Sequence, residues 1–167
     1  EIAAIIFEPI VQGAGGMKIY SADFLKHLRH FTKKQGIYLI ADEIMTGMGR
    51  TGTLLACEHA QIEPDLLCLG KGLTGGFLPL SAVLLTNEIY ELFYQDYHPE
   101  KSFLHSHTFS GHALAAAVAL ECLHVFEEEK ILERTAVLEN NLTSLMQEVA
   151  KKTDALTNIR GIGAIVA

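Results

Sequence analysis

Two short apolar runs on either side of an amphipathic pattern constrain the fold of this chain more than any other feature. The runs are residues 2–7 (IAAIIF) and 37–41 (IYLIA), and each is nearly continuous, as in strands buried on both faces of a parallel sheet. Between them, Ser21 is a candidate helix N-cap, apolar residues follow at helical spacing, and Gly36 suits the end of a helix. This order predicts a strand–helix–strand unit with a right-handed crossover.

The rest of the chain carries the same kinds of signal. Further strands are predicted at residues 66–69 and 80–85, a helix is predicted from Asn87, and two longer helices are predicted at residues 113–129 and 131–151. The first of these long helices is apolar on several faces, which predicts that it is deeply packed. We therefore expect an α/β fold with a mostly parallel sheet and flanking helices.

Composition and charge exclude several classes of function. Hydrophobic residues make up 49% of the chain, so we do not expect disorder, and the longest apolar runs are too short to cross a bilayer. A formal net charge of −7 leaves no basic excess, so neither a nucleic-acid nor a membrane partner is expected. Three cysteines without CxxC spacing, and no leader, suggest free thiols and a cytoplasmic protein. Both ends fall inside predicted strands, as in a segment of a longer protein.

Charged side chains follow three of the predicted strands, namely Glu8, the pair Asp42-Glu43, and Lys71. In open parallel sheets, ligands bind beyond these carboxyl ends. A lysine there is expected to be partly desolvated, which makes its neutral amine available for Schiff-base chemistry, and a nearby aspartate can hold a pyridinium nitrogen protonated. The glycines that surround Lys71 would let a flat cofactor approach the backbone. A purely structural ion pair between Asp42 and Lys71 remains an open alternative.

Two further motifs are less specific. Residues 47–52 (GMGRTG) match the glycine fingerprint of dinucleotide-binding folds, but four residues separate them from the strand and no acidic residue follows at the required distance, so we interpret them as a loop. His105, His107 and His112 invite a zinc site, yet no cysteine or carboxylate joins them at ligand spacing. The segment 105–112, which contains these histidines and several hydroxyl side chains, directly precedes a predicted apolar helix, and a helix N-terminus suits a phosphate.

Several segments together resemble the class III, fold type I aminotransferases, which depend on pyridoxal 5′-phosphate. They are residues 39–44 (LIADEI), 47–52 (GMGRTG), 65–67 (DLL), 70–76 (GKGLTGG) and 105–115. The resemblance covers nearly the whole chain. It implies that residues 1–129 form the core of the large cofactor domain of such an enzyme, and that residues 130–167 form a connecting helix and the start of a small C-terminal domain.

The resemblance also implies roles for individual residues. Lys71 would form a Schiff base with pyridoxal phosphate and act as the catalytic lysine, while Asp42 would pair with the ring nitrogen. Thr108 would contact the cofactor phosphate of the neighbouring subunit, which implies a homodimer, and His107 would lie beside it.

Two more residues follow from the same resemblance. Ser106 is implied in substrate binding, and Glu8 is implied near the cofactor in a supporting role.

Within this family, residues 8–17, 42–52, 56–60 (ACEHA) and 68–76 most resemble the members that act in biotin biosynthesis. This implies S-adenosylmethionine as amino donor and 8-amino-7-oxononanoate as acceptor. Family members that act on ω-amines often carry a glutamate in the first glycine-rich loop. The corresponding residues 12–15 of this chain are QGAG and include no acid, which counts against an ornithine- or aminobutyrate-type enzyme. Alternatives are a lysine or ω-amine donor, a non-catalytic ligand-binding module and, more remotely, a dehydrogenase. The dipeptides Ser106-His107 and His112-Ala113 depart from the usual Gly-Pro and Asn-Pro.

Overall fold

The computed structural model describes residues 1–94, 96, 98–153 and 155–167, which contain both strands and helices. The first half contains strands β1 (Ala4–Phe7), β2 (Val11–Gln12) and β3 (Lys18–Ile19), helix α1 (Ala22–Gln35), strand β4 (Tyr38–Asp42) and a 3₁₀ turn (Ala56–Ala60). The second half contains β5 (Leu66–Leu69), a 3₁₀ turn (Lys71–Thr74), β6 (Ala82–Leu85), helices α2 (Asn87–Phe93), α3 (Ala113–Glu128) and α4 (Ile131–Thr153), and strands β7 (Gly161–Ile162) and β8 (Ile165–Val166).

The main sheet has the strand order β1-β4-β5-β6, with β1, β4 and β5 parallel. The predicted strand–helix–strand unit is confirmed: the hydroxyl of Ser21 accepts a hydrogen bond from the N–H of Phe24, and Gly36 ends α1 in the left-handed conformation. Strand β6 is antiparallel to β5. Residues 70–81 connect these two strands through a 3₁₀ turn and a loop, without the α-helix that usually crosses over between parallel strands.

The two faces of the sheet are covered unequally. On one face Leu39 and Ala41 are fully buried, and α1 packs against β4 there. On the opposite face, which also carries Asp42, the side chains of Ile6 and Val83 remain 64% and 56% exposed. The sheet edge that holds the charged residues therefore adjoins its open face.

Helix α3 corrects the prediction of a deeply packed helix. Ala115 and Ala119 are its buried residues, whereas Leu114 and Leu120 are about 60% exposed. The helix packs against the turn Lys71–Thr74 and against α4, while Leu114 and Leu120 are left uncovered by the described part of the chain. In the part of the chain that the structure describes, no helix is long and apolar enough to span a membrane.

A largely buried ion pair between Arg29 and Asp65 ties α1 to the sheet. The guanidinium donates to both carboxylate oxygens of Asp65, at 2.7 and 2.8 Å, and the N–H of Leu39 donates to the same carboxylate. The hydrogen bonds from Arg29 hold the pKa of Asp65 below its usual range. This pair therefore stabilises the fold above the unfolded-state pKa of about 3.9, and the stabilisation is lost as the pH falls through the lower folded-state pKa.

We expect Asp65→Asn to lower the free energy of unfolding of the full-length protein by about 3 kcal/mol at pH 7, because Arg29 is left buried without its counter-ion. Urea unfolding between pH 2 and pH 7 measures this, and the variant should lose less stability at acid pH than the wild type. Glu129→Gln is the matched control, since its pair with Arg134 is exposed and should contribute less than about 1 kcal/mol. Equal losses in both variants would contradict the account.

The C-terminal hairpin, formed by β7 and β8, contacts both glycine-rich loops, which are residues 12–17 and residues 47–52. The N–H of Ala164 donates to the carbonyl of Arg50 at 2.9 Å, and Nε of Arg160 donates to the carbonyl of Met17 at 2.8 Å. A Cβ on Gly163 would lie 2.5 Å from the carbonyl carbon of Thr51, so the hairpin reaches the second loop only because this residue is glycine.

Gly163→Ala should therefore destabilise the full-length protein more than Gly36→Ala does. Both glycines have positive φ, at 58° and 65°, but a Cβ on Gly36 meets nothing within 4 Å. Alanine at Gly36 should cost about 1 kcal/mol of conformational strain, and the backbone clash at Gly163 should add about 2 kcal/mol to that strain. Thermal unfolding of the two variants measures the difference, and equal midpoints would show that the loop contact is loose.

Candidate active site

The parallel register brings three of the charged residues predicted from the sequence to one edge of the sheet. Phe7 pairs with Ala41 and Asp42 pairs with Cys68, so β1, β4 and β5 end nearly level. Glu8 directly follows β1, Asp42 ends β4, and Lys71 follows β5 after Gly70. The expectation that Glu8, Asp42 and Lys71 meet at the carboxyl ends of the strands agrees with this placement.

Lys71 begins a 3₁₀ turn in an unusual backbone conformation. Its φ is 34°, in the left-handed region that non-glycine residues rarely adopt, and such strain is concentrated at functional sites. Its side chain is exposed, which corrects the expectation of a partly desolvated lysine. Among the described residues no ion pair joins Lys71 to Asp42, so the alternative of a structural pair is wrong for this structure.

Asp42 is half-buried, and one of its carboxylate oxygens is already held. Oδ1 accepts a hydrogen bond from the N–H of Ile44 at 3.1 Å, which fixes the side chain against its own loop. Burial raises the pKa of the Cys68 thiol, and the negative charge of Asp42 raises it further. The second carboxylate oxygen has no hydrogen bond within the described part of the chain, so Asp42 can still accept one from a ligand.

Residues 47–52 form a loop that packs against the turn of Lys71, as the sequence predicts. A Cβ on Gly72 would lie 2.7 Å from Cβ of Met48, so the loop and the turn are in van der Waals contact. A Cβ on Gly70 would likewise lie 3.2 Å from Cγ2 of Ile44. This glycine motif therefore shapes the surroundings of Lys71, and no helix begins within it as a dinucleotide site would need.

Glu43, which the sequence pairs with Asp42 at the strand end, is a buried carboxylate whose side chain turns to the covered face of the sheet. Its side chain is 1% exposed and accepts hydrogen bonds from the N–H groups of Ala56 and Cys57, at 2.6 and 2.8 Å. Burial raises the pKa of Glu43 above its usual value, and the hydrogen bonds from these donors offset only part of that rise. The parity of the strand is the signal that could have found it, because Leu39, Ala41 and Glu43 alternate onto the buried face.

Glu8 holds the first glycine-rich loop. Its Oε2 accepts a hydrogen bond from the N–H of Gly13 at 2.9 Å, and its carbonyl accepts one from the hydroxyl of Tyr20. Burial raises the pKa of Tyr20, which therefore stays a hydrogen-bond donor. Arg160, which the sequence analysis did not single out, holds the far end of the same loop through the carbonyls of Gly16 and Met17.

The residues of the segment 105–112 are exposed. His112 caps α3 by accepting the N–H of Ala115 on Nδ1 at 3.2 Å, so this helix N-terminus has one fewer free donor for a phosphate than expected. Ser106 and His107 line an open cleft of about 990 Å³, while Thr108 lies outside its lining. Within the described ranges, no three metal-ligating side chains come together, the three histidines included.

Known proteins match both the sequence and the geometry. The family model "Aminotransferase class-III" matches residues 1–167. The adenosylmethionine-8-amino-7-oxononanoate aminotransferase of Helicobacter pylori is 45% identical over 170 residues, which cover 100% of this chain and 39% of that protein. The enzyme of the same name from Aquifex aeolicus is 48% identical over 134 residues, or 80% of this chain and 30% of that protein.

A solved aminotransferase from Bacillus anthracis superposes on 99% of this chain with a TM-score of 0.91 at 35% identity, and the match covers 36% of that structure. The chain thus spans less than half the length of the relatives it matches. Sequence, fold and the residues at the sheet edge agree with one another. The chain belongs to the class III aminotransferase family.

Proposed function

We propose that the full-length protein is a pyridoxal-phosphate-dependent aminotransferase of biotin biosynthesis. It transfers an amino group from S-adenosylmethionine to 8-amino-7-oxononanoate and gives 7,8-diaminononanoate. The observation that carries the proposal is Lys71, which is strained, has no ion-pair partner among the described residues and follows the strand next to that of Asp42, in a class III chain. The names of the relatives favour these substrates, and so does the loop at residues 12–15, which lacks the acid often found in ω-amine enzymes.

Pyridoxal phosphate fits the residues at this edge. Nζ of Lys71 is available to an aldehyde, Asp42 has a free carboxylate oxygen, and the backbone at Gly76 is open, with no atom within 4 Å of the Cβ position. When bound, the cofactor supplies an aldehyde that condenses with amines and a ring that withdraws electrons from the substrate carbon.

Lys71 has two tasks in the proposed reaction. Its amine would hold the cofactor and, once released, would move a proton at the substrate carbon that bears the nitrogen. Asp42 would accept a hydrogen bond from the ring nitrogen and keep that nitrogen protonated, which would stabilise negative charge on the carbon. Glu8 would support the site indirectly, because it holds the loop of Gly13 at the same edge.

We further propose a homodimer in which Thr108 binds the cofactor phosphate of the neighbouring subunit. His107 would assist it, and Ser106 would contact the substrate. The exposure of all three side chains supports contacts outside this chain's own fold. Residues 1–129 would form the core of the large domain, and residues 130–167 would lead into the small one. The three unpaired cysteines are consistent with a cytoplasmic location.

A donor panel tests the proposal. The full-length protein is supplied with pyridoxal phosphate, 8-amino-7-oxononanoate and either S-adenosylmethionine, lysine or an ω-amine, and 7,8-diaminononanoate is measured by mass spectrometry. We expect kcat/KM with S-adenosylmethionine to exceed that of the other donors by about 100-fold. Product from lysine alone would assign the alternative donor. No product from any donor, despite bound cofactor, would favour a non-catalytic module.

A further inference from the structure

Glu43 is the deeply buried charged residue of the described chain, and it has no cation beside it. Buried carboxylates are costly unless hydrogen bonds or ion pairs compensate them. Oε2 accepts the N–H of Ala56 and, at 3.4 Å, the hydroxyl of Thr46, while Oε1 accepts the N–H of Cys57. These two N–H groups open the turn Ala56–Ala60, thirteen and fourteen residues along the chain, so the carboxylate fixes this turn to the end of β4.

The backbone of Glu43 is held as firmly as its side chain. Its N–H donates to the carbonyl of Cys68 at 3.0 Å, which extends the ladder between β4 and β5 beyond Asp42. Its carbonyl accepts the N–H of Gly47, also at 3.0 Å, and a Cβ on Gly47 would lie 2.8 Å from that carbonyl oxygen. The peptide that follows Asp42 is therefore fixed on both sides by contacts of Glu43.

The same contacts continue to Lys71. Gly47 begins the loop whose next residue, Met48, packs on Gly72 within the lysine's turn. Cys68, which accepts the backbone N–H of Glu43, precedes Lys71 by three residues. The carboxylate of Glu43 contacts residues on both sides of the loop 47–52, Thr46 before it and Ala56 after it, and this loop packs on the turn that carries Lys71.

We propose that Glu43 is a positioning residue, whose buried carboxylate sets the placement of Asp42 and Lys71 relative to each other through the loop 47–52 and the turn Ala56–Ala60. The proposal rests on the proposed function. Since misplacing a catalytic group by about 1 Å can cost 100-fold in rate, the effect should appear in kcat. It should also appear in the ring nitrogen of the bound cofactor, because that nitrogen reports directly on Asp42.

The test compares Glu43→Gln with wild-type full-length protein loaded with pyridoxal phosphate that carries ¹⁵N in its ring. An amide in place of the carboxylate turns one acceptor towards a backbone donor into a donor. We expect kcat to fall about 10- to 100-fold with KM for S-adenosylmethionine changed less than about threefold, and the ¹⁵N shift to move towards that of an unprotonated nitrogen. Thermal unfolding of the cofactor-free protein measures the structural cost separately.

Glu58→Gln is the matched control. Glu58 accepts the N–H of Leu55 at 2.9 Å at the start of the same 3₁₀ turn, but its side chain is exposed. The kcat and the ¹⁵N shift of the Glu58→Gln variant should match those of the wild type. If Glu43→Gln lowers the unfolding midpoint and leaves kcat per folded molecule and the ¹⁵N shift unchanged, Glu43 is only a cap and the inference is wrong.

Glu43→Asp covers the case in which the glutamine variant does not fold. It keeps the charge but is one methylene shorter, so it cannot reach both N–H groups, and we expect smaller changes in the same direction. Unchanged kcat and ¹⁵N shift in this variant would overturn the inference. Wild-type protein that binds no pyridoxal phosphate would instead overturn the proposed function beneath it.

Discussion

Replacing Lys71 with alanine is expected to abolish the visible absorbance band of the bound cofactor and to reduce turnover by at least about 1,000-fold. The variant loses both the amine that holds the cofactor and the group that moves the proton. It keeps the rest of the sheet edge, because the side chain of Lys71 is exposed and has no ion-pair partner among the described residues. Absorbance spectra and single-turnover rates of the full-length protein measure the two losses.

Lys130→Ala is the control for this experiment. Lys130 is also an exposed lysine with positive φ, 48° against 34° for Lys71, but it lies between α3 and α4. Because lysine and alanine both carry a Cβ, neither substitution adds backbone strain at its positive φ. We expect Lys130→Ala to keep its colour and its rate. A coloured, active Lys71→Ala variant would remove Lys71 from the mechanism.

Replacing Asp42 with asparagine is expected to reduce kcat about 100- to 10,000-fold, while the dissociation constant of pyridoxal phosphate rises less than about tenfold. Asparagine still occupies the end of β4 and can still accept the N–H of Ile44. It lacks the negative charge that keeps a ring nitrogen protonated, so the proton transfers suffer more than cofactor binding does.

Kinetics and cofactor titration of the full-length variant separate these effects. Asp23→Asn is a suitable control, because Asp23 lies on the exposed surface of α1 and should affect neither quantity. Equal losses of cofactor affinity and kcat in Asp42→Asn would point to a structural role for Asp42.

The parts of the fold that depend on local pattern could be predicted from the sequence. The cap at Ser21 and the glycine at position 36 bound α1 as expected, and β5 spans Leu66–Leu69 as predicted. These features depend on residues within a few positions of each other. The direction of β6 depended instead on its connection to β5, which contains no crossover helix.

The sequence predicts those residues of the site that lie at the carboxyl ends of predicted strands. Glu8, Asp42 and Lys71 follow apolar runs, so their common edge was accessible from the sequence. The exposure of Lys71 could not be predicted in this way, because burial depends on which other segments cover the sheet. The exposed apolar side chains of α3 could not be predicted for the same reason. The hydrogen bonds of Glu43 with Ala56 and Cys57 join residues thirteen and fourteen positions apart through a loop, which no periodic pattern encodes.

The most direct test of the central claim records the visible absorbance of the full-length protein with pyridoxal phosphate bound while S-adenosylmethionine is added without any acceptor. We expect the visible band of the bound cofactor to bleach, because the amino group of the donor would pass to the cofactor that Lys71 had held. Adding 8-amino-7-oxononanoate should then restore the band. A protein that stays coloured with this donor would contradict the assigned substrate, and a protein that never takes up colour would contradict the role of Lys71.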